Sequence, residues 1–301
     1  MKVLLTGAAG RLGRSFLAGT PADVDIEVLL SPTGLFLGGY PWYRADITDR
    51  EKVIMAVTCA DPDVVIHCAA LTDVDRCESD PGLAFRVNRD GTGHIARACN
   101  ECGARMVNLS TDHVFDGVSG PYEENDHPNP VNVYGRSKLE GEQAAGLLAG
   151  NLTIVRIAVL FGKRFEGVKH NFVSWVIEQL RARKHVHAWS DQVTTPAYLE
   201  ELTELLWTLI RTGENGVFHY GTSDRLSRYR MMLDICEVMG FDSHLVEPLK
   251  FADSASKAQR PLESGFITGK VREVLKRPPV FFTDALGRMI EAQKKEPAQD
   301  K

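Results

Sequence analysis

Tyr134 and Lys138 stand four residues apart in the run Tyr134-Gly135-Arg136-Ser137-Lys138, which opens a helical stretch continuing through Glu142. Side chains at that spacing share one face of a helix. A phenol with a pKa of about 10 is a poor acid–base group at neutral pH, and a nearby ammonium draws it toward the working range. Alone, the pair would be an ordinary helix face. It gains meaning from a second polar run, Ser110-Thr111-Asp112-His113-Val114-Phe115-Asp116-Gly117, which follows a strand expected over Arg105 to Leu109. Hydroxyls and a carboxylate at a strand's carboxyl end point into the crevice where open α/β sheets bind ligands.

The ligand such a crevice would hold is indicated by the first stretch, MKVLLTGAAGRLG. Val3 to Leu5 form a short apolar run of the buried-strand kind, broken at Thr6-Gly7. Gly7, Gly10 and Gly13 recur every third residue, and Leu12, Phe16 and Leu17 then fall at helical spacing. Strand, glycine turn and helix start make a phosphate cradle. Gly7 lets the backbone turn, Gly10 leaves room for a pyrophosphate, and Gly13 lets helix and strand pack closely. The positive helix end then faces the anion. Without a ligand the same glycines would be only a turn.

Which dinucleotide is less determined. NAD sites usually place an acid about 20 residues after the glycines. Here the second strand, Ile26 to Leu30, runs into Ser31-Pro32-Thr33. Ser31 and Thr33 could bond a ribose hydroxyl or a 2′-phosphate, and Arg11 or Arg44 could supply charge. The reading leans to NADPH over NADH, with use of both open. Asp46 could accept from the adenine amino group while Ile47 packs on the ring. Asp49 is expected to cap a helix over Arg50 to Val57. The Gly- and aromatic-rich stretch Leu35 to Tyr43 could cover the adenine end or be a packed connection. A strand over Asp63 to His67 runs into Cys68-Ala69-Ala70-Leu71-Thr72, small residues that leave room for cofactor or merely pack closely. Asn88, inside the helical stretch Pro81 to Cys102, could lie on a helix surface or brace active-site backbone.

The 301-residue chain is 44% hydrophobic and 25% charged, ordinary for a globular protein. Its net charge of −5 argues against a broad nucleic-acid surface. No apolar run approaches the ~20 residues of a membrane span, and the start lacks a signal-peptide pattern. The six cysteines do not form a disulfide framework, and Cys99 and Cys102 read as packed thiols rather than metal ligands. No metal site and a cytoplasmic location are expected. A homodimer is compatible with the sequence, which carries no surface signal for one.

Further on, a strand is expected over Leu152 to Phe161, and a helix over Asn171 to Arg183. A short strand follows at His185 to Trp189, a helix at Tyr198 to Arg211 and a strand at Gly216 to Tyr220. Helices over Ser227 to Met239, Lys270 to Leu275 and Phe282 to Gln293 complete the chain before the charged tail Lys294 to Lys301. Alternating strands and helices argue a doubly wound parallel sheet. Residues 1–160 are read as the dinucleotide-binding domain, completed by parts of 185–220, and 221–301 mainly as a substrate-binding lobe over the crevice.

The glycine turn, the Ser110–Gly117 run and Tyr134-x-x-x-Lys138 together resemble the extended short-chain dehydrogenase/reductases, which have a Rossmann-type sheet and a smaller C-terminal lobe. Within them the chain resembles the dTDP-4-dehydrorhamnose reductase group, including Asp191-Gln192 followed by Pro196 and Arg260-Pro261 followed by Ser264. The resemblance implies an NAD(P)H-dependent reductase of a nucleotide-linked 4-keto-6-deoxy sugar. Tyr134 would protonate the keto oxygen, Lys138 would bond the nicotinamide ribose and tune the phenol, and Thr111 would bond the keto oxygen. Gly7, Gly10, Gly13, Arg11, Leu12, Asp46, Ile47 and Ala69 to Thr72 would contact cofactor. Asp112, His113 and Val159 would face substrate.

Two positions depart from the group. Its reductases often have tyrosine where this chain has His113. They often have Thr-Ser-Trp after the arginine matching Arg156, where this chain has Ile157-Ala158-Val159. The regulatory beta subunit of methionine adenosyltransferase is similar as well, so a non-catalytic NADP-binding subunit is the alternative. An epimerase or dehydratase on the same fold is a third reading; a dehydratase would want a further acid–base pair near Tyr134, for which only Asp112-His113 offers itself.

Overall fold

The computed structural model describes residues 1–34 and 38–295. Part of the Leu35 to Tyr43 stretch and the tail beyond 295 therefore lie outside the described residues. The first half alternates as the hydrophobic pattern demands. β1 (Lys2–Thr6) leads to α1 (Arg11–Ala18), β2 (Asp25–Leu30) and β3 (Trp42–Arg44). α2 (Arg50–Ala60) follows, capped by Asp49 as expected, with Lys52 N–H donating to its carboxylate at 3.2 Å. Next come β4 (Val64–His67), α3 (Val74–Ser79) and α4 (Pro81–Phe85). A π-helical turn, Arg86–Asp90, joins α4 to α5 (Gly91–Cys102), followed by β5 (Arg105–Thr111) and α6 (Val133–Leu148).

The strand expected over Leu152 to Phe161 is broken at Ala158-Val159. β6 (Leu152–Ile157) stays in the main sheet, while β7 (Leu160–Phe161) leaves it. α7 (Phe172–Arg181), β8 (Val186–Trp189), β9 (Val193–Thr194) and β10 (Ala197–Tyr198) follow, and β7 pairs with β10. The break has its cause in a distant partner: the Val159 carbonyl accepts from Ala197 N–H at 2.8 Å, beginning the new pairing. α8 (Leu199–Thr212) returns the chain to β11 (Gly216–Tyr220). Then come β12 (Leu226–Ser227), α9 (Arg228–Met239), β13 (Val246–Leu249), α10 (Gly269–Leu275) and α11 (Phe282–Lys295).

The main sheet has seven parallel strands in the order β11-β6-β5-β4-β1-β2-β3. The doubly wound fold expected from the sequence is thus present. The order reverses between β1 and β4, and ligands bind in the crevice outside the carboxyl ends at such a switch. One sheet face packs Val3, Leu5, Val64, Ile66 and Val107 against α1 and α8. The other packs Leu4, Val65 and Met106 against α2 and α5. A separate apolar cluster joins Phe161, α7 and β8 to α9, Val246 and α11, so it draws on residues both before and after 220. Val271 of α10 packs into the first cluster instead.

Candidate active site

Gly7 turns the chain out of β1 with φ +69°, where a Cβ would lie 2.7 Å from the Ala69 nitrogen. At Gly13 a Cβ would come 2.5 Å from the Gly7 carbonyl oxygen, so α1 sits directly on the turn. Gly10 is different: a Cβ there would meet only the Gly7 oxygen, at 3.2 Å. α1 begins after Gly10 with no side-chain cap, which leaves its first N–H groups for an anion. Closed behind and open in front, the turn fits a dinucleotide's pyrophosphate.

A cleft of 510 Å³ opens from the turn, lined there by Gly7, Gly10, Arg11, Leu12 and Gly13. Ala70 and Thr72 form a second part of its wall, and Thr111, Asp112, His113, Tyr134, Lys138 and Val159 a third. A 380 Å³ pocket shares Gly7, Gly10 and Ala70 with it and adds Ser31, Asp46, Ile47 and Ala69. Asp46 is held there by Thr48, whose N–H and hydroxyl donate to its Oδ1 at 2.9 and 2.8 Å. The described wall of this pocket includes neither Arg11 nor Arg44. Arg44 donates to the carbonyls of Ser31 and Pro32, pinning the turn beside the pocket, while Arg11 donates to the Lys169 carbonyl.

Leu71 differs from its neighbours and lines neither space. Its side chain packs on a cluster of Cys77, Ala84, Val133 and Tyr134. Its N–H and carbonyl are both taken by the Asn88 side chain, at 2.8 and 3.0 Å. Asn88 also donates to Ser137 Oγ at 3.0 Å, so its role is a brace. Fully buried in the π-turn, it ties the β4 end to the helix that carries Tyr134.

α6 starts at Asn132, whose Oδ1 accepts from Gly135 N–H at 2.8 Å. That start places Tyr134 and Lys138, 8% and 3% exposed, on the cleft wall. The electrostatics correct the expectation that the ammonium lowers the phenol. Lys138 Nζ donates to the Leu109 carbonyl at 2.7 Å, and burial brings its pKa down to about 8 against the pull of Glu142. Burial pushes the Tyr134 phenol up, the Asp112 charge adds to the rise, and only a hydrogen bond with Thr111 opposes them. Tyr134 is therefore held protonated at neutral pH, the state a proton donor needs.

Thr111 donates to Asp112 Oδ1 at 3.3 Å and accepts from His113 N–H at 3.2 Å. Asp112 Oδ2 accepts from Thr194 Oγ1 and Ser264 Oγ, each at 3.1 Å. One carboxylate thus joins the end of β5 to β9 and to the segment before α10. Arg228 was not singled out in the sequence. It lines the cleft, donates to Gln192 Oε1 at 3.4 Å and lies over the Phe172 ring at 4.8 Å. Its buried Nη1 has no partner among the described residues, and burial lowers its pKa to about 10. A signal was present: an arginine in the first turn after the Ser227 cap sits at the helix end where a cation is disfavoured. Among the described residues no group of three or more His, Cys, Asp or Glu could hold a metal ion. Among the described residues no helix is long and apolar enough to cross a membrane.

Known proteins resemble this chain along most of its length. The chain is 35% identical over 265 residues to a dTDP-4-dehydrorhamnose reductase of Mycobacterium tuberculosis, covering 86% of this chain and 82% of that one. It is 29% identical to the methionine adenosyltransferase 2 subunit beta of Bos taurus, over 86% and 78% of the two chains. The solved dTDP-4-dehydrorhamnose reductase of Bacillus anthracis, in complex with NADP, superposes with a TM-score of 0.84 at 28% identity, covering 97% of this chain and 99% of that one. The resemblance read from the motifs holds, and with it the oxidoreductase class and the nicotinamide dinucleotide cofactor. Residues 1–295 match the family model of the RmlD substrate binding domain, and the chain belongs to that family.

Proposed function

We propose that the chain reduces a nucleotide-linked 4-keto-6-deoxy sugar, with Tyr134 giving the proton and NADPH preferred. The observation that carries this reading is the Tyr134 phenol, held protonated beside Thr111 on the wall of the cleft that the glycine turn opens. Bound reduced nicotinamide supplies a hydride. Gly7, Gly10 and the start of α1 would hold its pyrophosphate, Ser31, Asp46 and Ile47 its adenosine end, and Lys138 its nicotinamide ribose. The absence of an acid after β2 supports NADPH. Tyr134 passes its proton to the keto oxygen, so the carbonyl becomes a hydroxyl. Thr111 orients that oxygen when its hydroxyl turns from Asp112 to donate to it. Arg228, with an open buried donor, suits the substrate's diphosphate. A dehydratase role is disfavoured because three hydroxyls already engage Asp112.

The regulatory-subunit reading is favoured by one observation, the short Val159 in the wall where the group's reductases often carry tryptophan. Purified protein mixed with NADPH and a panel of dTDP-4-keto-6-deoxy sugars decides between them. Loss of reduced-nicotinamide absorbance, dependent on Tyr134, is expected. Tight NADPH binding without turnover on any sugar would favour the subunit.

A further inference from the structure

We propose that His113 is a fixed hydrogen-bond donor of the sugar site, offering Nε2–H to a substrate oxygen beside the carbonyl that faces Tyr134; this rests on the reductase reading above. The proton's place follows from Asn132. Its Oδ1 accepts from Gly135 N–H at 2.8 Å, which makes the other amide atom the NH2 group. That Nδ2 donates to the Gln259 carbonyl at 2.8 Å and stands 3.0 Å from His113 Nδ1. Both backbone partners have only one possible role, so the amide cannot be flipped. Its second N–H must point at Nδ1. Nδ1 is then the acceptor, and a neutral ring carries its proton on Nε2.

Protonating the ring would set Nδ1–H against the Asn132 N–H. The charged groups facing it are the Asp112 carboxylate and the Arg260 and Arg228 guanidiniums. Burial and the two cations hold the imidazole below its ordinary pKa against the Asp112 carboxylate. The ring lines the cleft and meets Tyr134 edge-on, 5.4 Å between centroids. Nε2 has no protein partner among the described residues. A donor one ring away from the phenol meets a sugar oxygen on a carbon next to the reacting one. Arg228 is the group for the charged diphosphate, whereas a neutral N–H selects an uncharged oxygen. The tyrosine often found at this position could give or take a hydrogen bond. This histidine can only give one, so it requires an acceptor on the sugar.

His113→Phe keeps the ring and removes the N–H, and His113→Gln can restore a donor. With a dTDP-4-keto-6-deoxy sugar as substrate, the phenylalanine variant is expected to raise the sugar KM about 3- to 10-fold. Its kcat should change far less and its NADPH Kd not at all, and the glutamine variant should recover much of the loss. In the wild type, ring-nitrogen NMR should show Nδ1 bare and Nε2 protonated, with the Nε2–H resonance moving when the sugar nucleotide is added. An active wild type with an unchanged KM in His113→Phe overturns the proposal alone, as does a proton found on Nδ1. If the phenylalanine variant does not fold, an Nε2–H resonance indifferent to the sugar nucleotide overturns it equally. A wild type that neither binds nor reduces any of the sugars overturns the reductase reading together with the proposal.

Discussion

Lys138 should weaken the fold it serves. The residue is 3% exposed, and burial brings its pKa down to about 8 from 10.5. That displacement corresponds to about 3 kcal/mol against the charged form in the folded protein. Lys138→Met removes the penalty and keeps the apolar stem. It forfeits the bond to the Leu109 carbonyl, which costs about 1 kcal/mol. Glu142 is not orphaned, because Arg156 binds both its oxygens, Nη2 to Oε2 at 2.6 Å and Nε to Oε1 at 3.0 Å. The balance predicts about 2 kcal/mol of stabilisation at neutral pH, a Tm rise of about 4 °C for a chain of this size, together with loss of activity. The pH dependence has a definite sign. Between about 8 and 10.5 the unfolded chain keeps the lysine proton and the folded one has lost it, so wild-type stability rises with pH across that window. The gap between the two proteins should therefore be widest at about pH 7 and mostly closed at about pH 10. Thermal unfolding of both proteins at the two pH values is the assay. A variant that melts below the wild type at neutral pH, or a gap that ignores pH, would refute the reasoning.

Tyr134→Phe should slow reduction by roughly 10²–10⁴-fold and leave NADPH affinity nearly unchanged, as single-turnover rates and a cofactor titration would show; an unaltered rate removes Tyr134 from the chemistry. Gly10→Val should fold, since a Cβ there meets one atom at 3.2 Å, yet bind no NADPH by calorimetry. Gly13→Val should fail to fold, because its Cβ would lie 2.5 Å from the Gly7 oxygen and 2.6 Å from Ala8 Cα. Normal cofactor binding by the Gly10 variant would misplace the cradle. The kcat/KM for the sugar should fall as pH rises through about 8, where Lys138 loses its proton; a profile flat to about pH 10 would show that the ammonium is dispensable.

The glycine turn and the Tyr134–Lys138 face were legible because each is a local matter of backbone freedom or helical repeat. What the phenol feels was not. The same spacing that suggests an ammonium beside it also allows the ammonium to sit on the Leu109 carbonyl, and burial depends on the whole fold. Asn88 could be read two ways until the π-turn aimed it at Leu71 and Ser137. The break at Val159 was hidden in a continuous apolar run, since its cause lies in pairing with Ala197.

These misses share a property that bears on function. The end around the glycine turn is made mainly by the first seventy or so residues, with partners close in sequence or in register on adjacent strands. The end of the cleft around Asp112 and Tyr134 is closed by contacts across long separations: Asp112 to Thr194 and Ser264, and Asn132 to Gln259, are 82, 152 and 127 residues apart. Substitutions in α9 or in the segment before α10 can therefore reshape that end without touching the glycine turn. A family built this way can keep the glycine turn while the far end of the cleft changes. Such a separation fits the likeness of one chain both to a dTDP-4-dehydrorhamnose reductase and to a methionine adenosyltransferase 2 subunit beta. On the reductase reading proposed above, the residues that decide the second ligand are then His113, Val159 and Arg228, rather than the motifs that announce the fold.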